Sequence, residues 1–187
     1  MTLRPLNVSF TVKWSQNDTW TEAYLGVRRL VYDILPQTVA EQRVADAALC
    51  QLALVGANHL VEVTLGQVLR SFSAQAIQGF TTEDLERASY YNMLSQWLPK
   101  MTGKTVDLSA QPFRSSEALR KRRNETVHKS SALATVQMAR AALFSAVQTS
   151  QTIYLHTGEG FPYLSVLTEH PLFDEEWFSD VNMPPVI

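Results

Sequence analysis

The chain has 187 residues, 45% of them hydrophobic and 18% charged, with a formal net charge of −2. Those figures suit one domain with a proper core and exclude a disordered chain. They also give the molecule as a whole no strong pull toward nucleic acid or an anionic membrane. The average hides a gradient: six of the 16 Lys and Arg fall between Arg114 and Lys129, and none follows Arg140. The last 47 residues carry only acids: Glu159, Glu169, Asp174, Glu175, Glu176 and Asp180. Cys50 is the single cysteine, so an intramolecular disulfide and a thiolate metal cluster are both excluded. Met1 to Pro5 leads into no apolar run, so no signal peptide is expected, and a reducing cytoplasm is the expected location. No unbroken run approaches the ~20 apolar residues that a membrane span needs.

In chain order, Asn7 to Trp14 alternates apolar and polar residues with a period of two, which predicts a strand. A lone strand cannot make a sheet, so it pairs with a symmetry mate or lies across the molecule as an extended arm. Asp18 opens a first helix with Trp20, Tyr24, Val27, Val31 and Ile34 on one side, ending before Pro36. Val39 to Gln78 has no proline and is apolar almost all round between Ala47 and Leu69. This predicts one long helix buried on several sides, bent at Gly56 or Gly66 if anywhere. Thr81 or Thr82 caps a third helix through Leu85, Ala88, Tyr91, Leu94 and Leu98, stopping at Pro99. After a loop from Met101 to Phe113, a fourth helix opens at Ser115 or Ser116 and runs to about Ser150. Its packing seam is Leu133, Val136, Ala139, Leu143 and Val147.

The expected fold is therefore all-α: an antiparallel four-helix, up-down bundle over residues 1–150, with 1–17 as the extended arm. Residues 151–187 read as an irregular acidic, aromatic tail with one short helix near Phe173 to Phe178. That tail has three possible resting places: its own bundle, a sister subunit, or the basic stretch before it.

The basic stretch is Leu119-Arg120-Lys121-Arg122-Arg123-Asn124-Glu125-Thr126-Val127-His128. At about 3.6 residues per turn, Asn124 and His128 share a helix face and Arg123 lies obliquely beside them. Cleaving RNA without a metal requires deprotonating a 2′-hydroxyl, stabilising an anionic phosphorus centre and protonating the leaving oxygen. Histidine titrates near neutrality and suits the proton work. An arginine fork matches two phosphoryl oxygens at once. On these grounds Arg123 binds the phosphate, His128 moves the proton and Asn124 orients either. Arg120, Lys121, Arg122 and Lys129 raise the local potential and hold flanking phosphates.

Arg123-Asn124-Glu125-Thr126-Val127-His128 resembles the Arg, polar residue, three residues, His signature of the HEPN superfamily (higher eukaryote and prokaryote nucleotide-binding domains). The resemblance covers about Asp18 to Ser150. It implies an α-helical bundle with the motif on a late helix. It further implies a metal-independent endoribonuclease of a toxin, phage-defence or stress-response type, acting on single-stranded RNA at a composite homodimer site. The family's residues carry over onto Arg123, Asn124 and His128. The implied partners are RNA, a second copy and an antitoxin or other protein, with no cofactor, no metal and no membrane. The alternative is a non-catalytic helical module that binds nucleotide, RNA or protein through the same face. Bland readings stand beside these. A charge run is usually a solvated helix face. His59 with Glu62 is a poor metal site without a second carboxylate–histidine pair. Tyr90 and Tyr91 are first of all bundle packing, with base stacking the sharper alternative, and Cys50 is a small buried hydrophobe.

Overall fold

The computed structural model describes residues 19–37, 43–76, 83–84, 88–128 and 134–179, the side chains of 43–45, 72–76 and 128 excepted. Within those bounds the chain is all-helical, with no strand. The segment expected to be extended at 7–14, the rest of the 1–17 arm and the cap at Thr81 or Thr82 lie outside the described residues.

Helix α1 spans Thr19–Arg29 and buries Trp20, Tyr24 and Val27. It does not stop before Pro36. A π-helical turn over Leu30–Ile34 and a 3-10 turn over Leu35–Gln37 carry it through the proline. Proline has no N–H to donate and its ring crowds the carbonyl four residues back. The wider π turn, closed by the Leu35 N–H on the Leu30 carbonyl, takes up that mismatch. It also carries the buried face one residue further along. Leu35 is 2% exposed where Ile34, the expected core residue, is 42% exposed.

Helix α2, Arg43–Ala76, is the long helix the periodicity predicts. Its stretch Asp46–Ser71 reaches a mean hydropathy of 1.4 and is long enough to cross a bilayer by those two measures, which a count of unbroken apolar runs misses. Half of that stretch's most apolar window is buried by the protein itself. Helix α1 covers one side of it. A Cβ built on Gly56 would fall 2.5 Å from Val27 Cγ2, so the glycine is what lets the two helices approach.

The third helix departs from expectation within its run and at its far end: residues 83–84 are helical but 88–89 are not, and α3 begins after them. Ser89 is extended (φ −68, ψ 151) and its hydroxyl caps a new helix by accepting from the Asn92 N–H. The helix then runs Tyr90–Asn92, a π turn Met93–Trp97, and Leu98–Thr102. Pro99 sits inside it, again directly behind a π turn, and Gly103 ends it in the left-handed conformation (φ 69). Starting at Tyr90 turns that residue inward with Leu94, Leu98 and Met101, and leaves Tyr91 outside at 55% exposure.

The single fourth helix expected from Ser115 to Ser150 is two. Helix α4 spans Phe113–His128, and α5 starts afresh at Val136 and ends at Thr157. Thr135 is extended (φ −113, ψ 162) and its hydroxyl accepts from the Met138 N–H, an N-cap inside the expected seam. Helix α5 packs extensively on α2. Ala139, Ala142, Ala146 and Ser150 recur along it at helical steps, all buried, and their small size allows close approach. Thr64 Oγ1 donates to the Leu60 carbonyl at 2.8 Å and lies 2.9 Å from Ser150 Oγ, so neither hydroxyl is stranded between the helices.

The last described segment also corrects the reading. Helix α5 extends past Gln151 to Thr157, a short helix α6 spans Leu164–Glu169, and Phe173 to Phe178 is not helical. The aromatics of this segment dock on the protein's own helices. Tyr163 stacks on Trp20 at 4.5 Å between ring centroids and Phe161 meets the same ring edge-on at 5.2 Å. Phe173 packs against Tyr32, Trp177 against Phe144, and the Phe178 N–H donates to the buried Ser145 hydroxyl at 2.8 Å.

Gly56→Ala should destabilise the protein. Forcing a methyl onto Val27 costs about 1–3 kcal/mol, against at most about 1 kcal/mol returned by alanine's better helix propensity. Urea titration should show a lower midpoint, and adding Val27→Ala should restore part of the loss; an unchanged Gly56→Ala midpoint would show that α1 is not seated by this contact.

Candidate functional site

Seven residues of the basic stretch were expected to act together, and α4 deals with them one by one. Arg120 makes a two-pronged pair with Glu117 one turn earlier, Nε to Oε2 at 2.8 Å and Nη2 to Oε1 at 2.7 Å. Its guanidinium also lies 6.0 Å from the Tyr90 ring centroid. Lys121 is exposed, with its ammonium 4.0 Å from Glu117. Arg122 points inward. Its side chain is 3% exposed, with Nη1 3.5 Å from Glu125 Oε2, so it presents no surface cation for a flanking phosphate. Arg123 is half-buried and donates from Nη1 to Asn124 Oδ1 at 3.1 Å. His128 is the last residue of α4; its side chain and the whole of Lys129 lie outside the described residues.

The structure therefore brings Arg123 and Asn124 into direct contact. A primary amide accepting from a guanidinium fixes the plane of the fork while leaving other N–H donors for an oxyanion. The Arg123 Nε is buried and makes no hydrogen bond among the described residues. Arg120 is held by its carboxylate instead. The pairing pulls the Glu117 carboxyl below the usual glutamate range, with its hydrogen bonds from Arg120 outweighing the opposing effect of partial burial.

The neighbours of the stretch show how it is seated. Tyr90 is buried and hydrogen-bonded to Ser116, and burial raises its phenol well above the ordinary tyrosine value. It is a packing and positioning group and remains protonated at neutral pH. On α2, Asn58 donates to Glu62 at 2.8 Å, and His59 Nδ1 is 3.9 Å from the same carboxylate in a half-exposed setting. Among the described residues no three His, Cys, Asp or Glu come together as a metal-binding group. Cys50 is buried, and desolvation with help from Asp46 raises its thiol to about 11, which leaves it unreactive.

Two concave features escape a reading of the sequence. One, of about 560 Å³, lies beside the basic stretch between Tyr90, Tyr91, Leu94, Leu108 and Phe113, with Glu117 and Lys121 at its edge. The other, of about 740 Å³, lies where α1, the start of α5 and the last segment meet. There Arg28 and Arg140 lie 5.7 and 5.3 Å from the Tyr32 ring centroid, and Phe173 and Glu175 close one side. Arg28 and Tyr32 are one helical turn apart in the sequence, but nothing there brings Arg140 to them.

The Glu117–Arg120 pair has a testable pH signature. A carboxyl whose folded pKa is depressed adds stability above its unfolded value, near 4.5, and that stability is lost as pH falls through the folded value. The pair is partly solvated, so its contribution is at most about 1 kcal/mol. Urea midpoints of the native protein should exceed those of Glu117→Gln at pH 7, and the gap should close between about pH 5 and pH 3. A gap that widens on acidification would contradict the assignment.

Set against family models, curated proteins and solved structures, the chain matches none of them.

Proposed function

We propose that the protein is a metal-independent endoribonuclease of the HEPN type, cutting single-stranded RNA through 2′-hydroxyl attack. One observation carries the reading: Arg123 and Asn124 are joined at 3.1 Å on the helix that His128 terminates. In the proposed reaction Arg123 holds the phosphate and stabilises the charge that develops on it. Asn124 sets the angle of that guanidinium, and His128 transfers the proton. Lys121 faces solvent on the side of Asn124 and His128 and holds a flanking phosphate; Arg120 and Arg122 act through the helix.

We read α1, α2, α4 and α5 as a four-helix bundle in which α2 runs antiparallel to α1 and parallel to α5. Val27 lies on Gly56 and Trp20 lies near Gln67 by way of Tyr163, which supports opposite directions for α1 and α2. Thr64 with Ser150 and Gln67 with Tyr154 support parallel directions for α2 and α5. On this reading two copies of the chain face each other across α4 and share one composite site, and a toxin, phage-defence or stress role with an antitoxin partner follows from the same likeness.

A second reading, a non-catalytic module binding nucleotide, RNA or protein, draws on Arg120 being tied to Glu117 and Arg122 being buried, which removes two cations from phosphate reach. The two readings part in one assay. In EDTA the protein should cleave a single-stranded RNA to 2′,3′-cyclic phosphate or 3′-phosphate ends. His128→Ala and Arg123→Ala should each slow this by at least about 10²-fold, with helical content unchanged by circular dichroism. RNA binding that depends on Arg123 without any product selects the module. Cleavage that survives His128→Ala, or that requires Mg²⁺, refutes the nuclease.

A further inference from the structure

The smaller concave feature has a composition that the phosphate chemistry of α4 does not explain. Tyr90, Leu94, Leu108 and Phe113 make an apolar floor, yet Tyr91 stands on its wall with 55% of its surface exposed. A large ring left in water beside an apolar groove is poorly placed for folding and well placed for a planar guest. Lys121 is at the rim with its side chain 62% exposed. Glu117, the other charged group there, is held by Arg120 through two hydrogen bonds, so its negative charge is offset at the groove edge.

Helix geometry ties the groove to the proposed reaction centre. Lys121, Asn124 and His128 are spaced three and four residues apart, so they lie along one face of α4. From Lys121 to His128 is about 10 Å along the axis at about 1.5 Å per residue. A strand whose scissile linkage meets Asn124 and His128 would therefore run along this face and bring a neighbouring nucleotide to the groove, with Arg123 on the flank, one residue round the helix from Asn124.

We infer that the groove bounded by Tyr91, Leu94 and Leu108 is a nucleobase subsite. The base beside the scissile phosphate stacks on Tyr91, and Lys121 takes that nucleotide's phosphate. This rests on the nuclease reading and adds to it a substrate class, unpaired RNA, because a base held in a helical duplex cannot enter the groove. Stacking on a π face tolerates any base, so the subsite sets a preference for single strands and little preference for sequence.

The test uses the whole chain and an RNA oligonucleotide carrying 2-aminopurine. Tyr91 is exposed and Tyr91→Ala should fold normally. Its KM should rise about tenfold, the size of one lost stack, with kcat within about twofold of the native value. Tyr91→Phe should keep the native KM. Mixed with the His128→Ala protein, the oligonucleotide should lose 2-aminopurine fluorescence on binding, and the double variant with Tyr91→Ala should not quench it. Native protein that cuts RNA, with Tyr91→Ala showing the same KM and the same quenching, overturns the subsite and leaves the nuclease standing. Native protein that neither binds nor cuts RNA overturns both. If Tyr91→Ala changes self-association in sedimentation and leaves KM alone, the groove is a contact between copies and the proposal falls.

Discussion

A helix of 34 residues with no polar face cannot stay in water, and the rest of the described chain is arranged by that fact. Burying a Leu or Val side chain stabilises by about 1.5–3 kcal/mol, and α2 buries Leu54, Leu60, Val61, Leu65, Val68 and Leu69. It is covered by α1 on one side and by α4 and α5 on others. Cover on that scale demands close approach, which Gly56 supplies under Val27 and the Ala139, Ala142, Ala146 series supplies along α5. Polar side chains in the seam bring their own hydrogen bonds, as Thr64 does with Leu60 and Ser150. The site on α4 inherits its position from this packing.

What was legible in the sequence was mostly what a period can carry. The long apolar pattern of α2 and the stripe Trp20, Tyr24, Val27, Val31 are buried as their spacing requires. Prolines misled, because the rule that they stop a helix assumes the turn before them stays α-helical. Here Leu30–Ile34 and Met93–Trp97 widen to π turns just ahead of Pro36 and Pro99, and both helices continue. The same widening moves the core position from Ile34 to Leu35. The break before α5 was hidden for the opposite reason: Thr135 is an ordinary N-cap residue, but it sits within an unbroken apolar rhythm and only its extended backbone marks it.

The site was half legible. The i, i+3 spacing of Glu117 with Arg120 and of Arg122 with Glu125 stands in the sequence and could have been read as pairing. That Arg122 turns inward could not, because burial depends on neighbours far along the chain. Scattered aromatics such as Phe161, Tyr163 and Phe173 likewise have no period. Their meaning lies in Trp20 and Tyr32, more than a hundred residues away.

Magnitudes separate the charges that support α4 from those it carries at a cost. An exposed i, i+3 or i, i+4 ion pair on a helix gains about 0.2–0.5 kcal/mol. Such gains account for Lys121 on a solvated face and for Arg120 with its carboxylate. They do not account for Arg122 at 3% exposure, since withdrawing a guanidinium from water costs several kcal/mol before its partners return any of it. Nor do they account for Arg123, whose Nε is buried without a hydrogen bond among the described residues while its Nη1 is turned to an amide next door. An unmade bond at a buried donor costs about 1–3 kcal/mol. Ser115 and Thr126 of the same helix, like Trp20 and Asn58 elsewhere, also hold a buried polar atom with no hydrogen bond among the described residues, so the cost is spread through the bundle and Arg123 is one bearer of it among several.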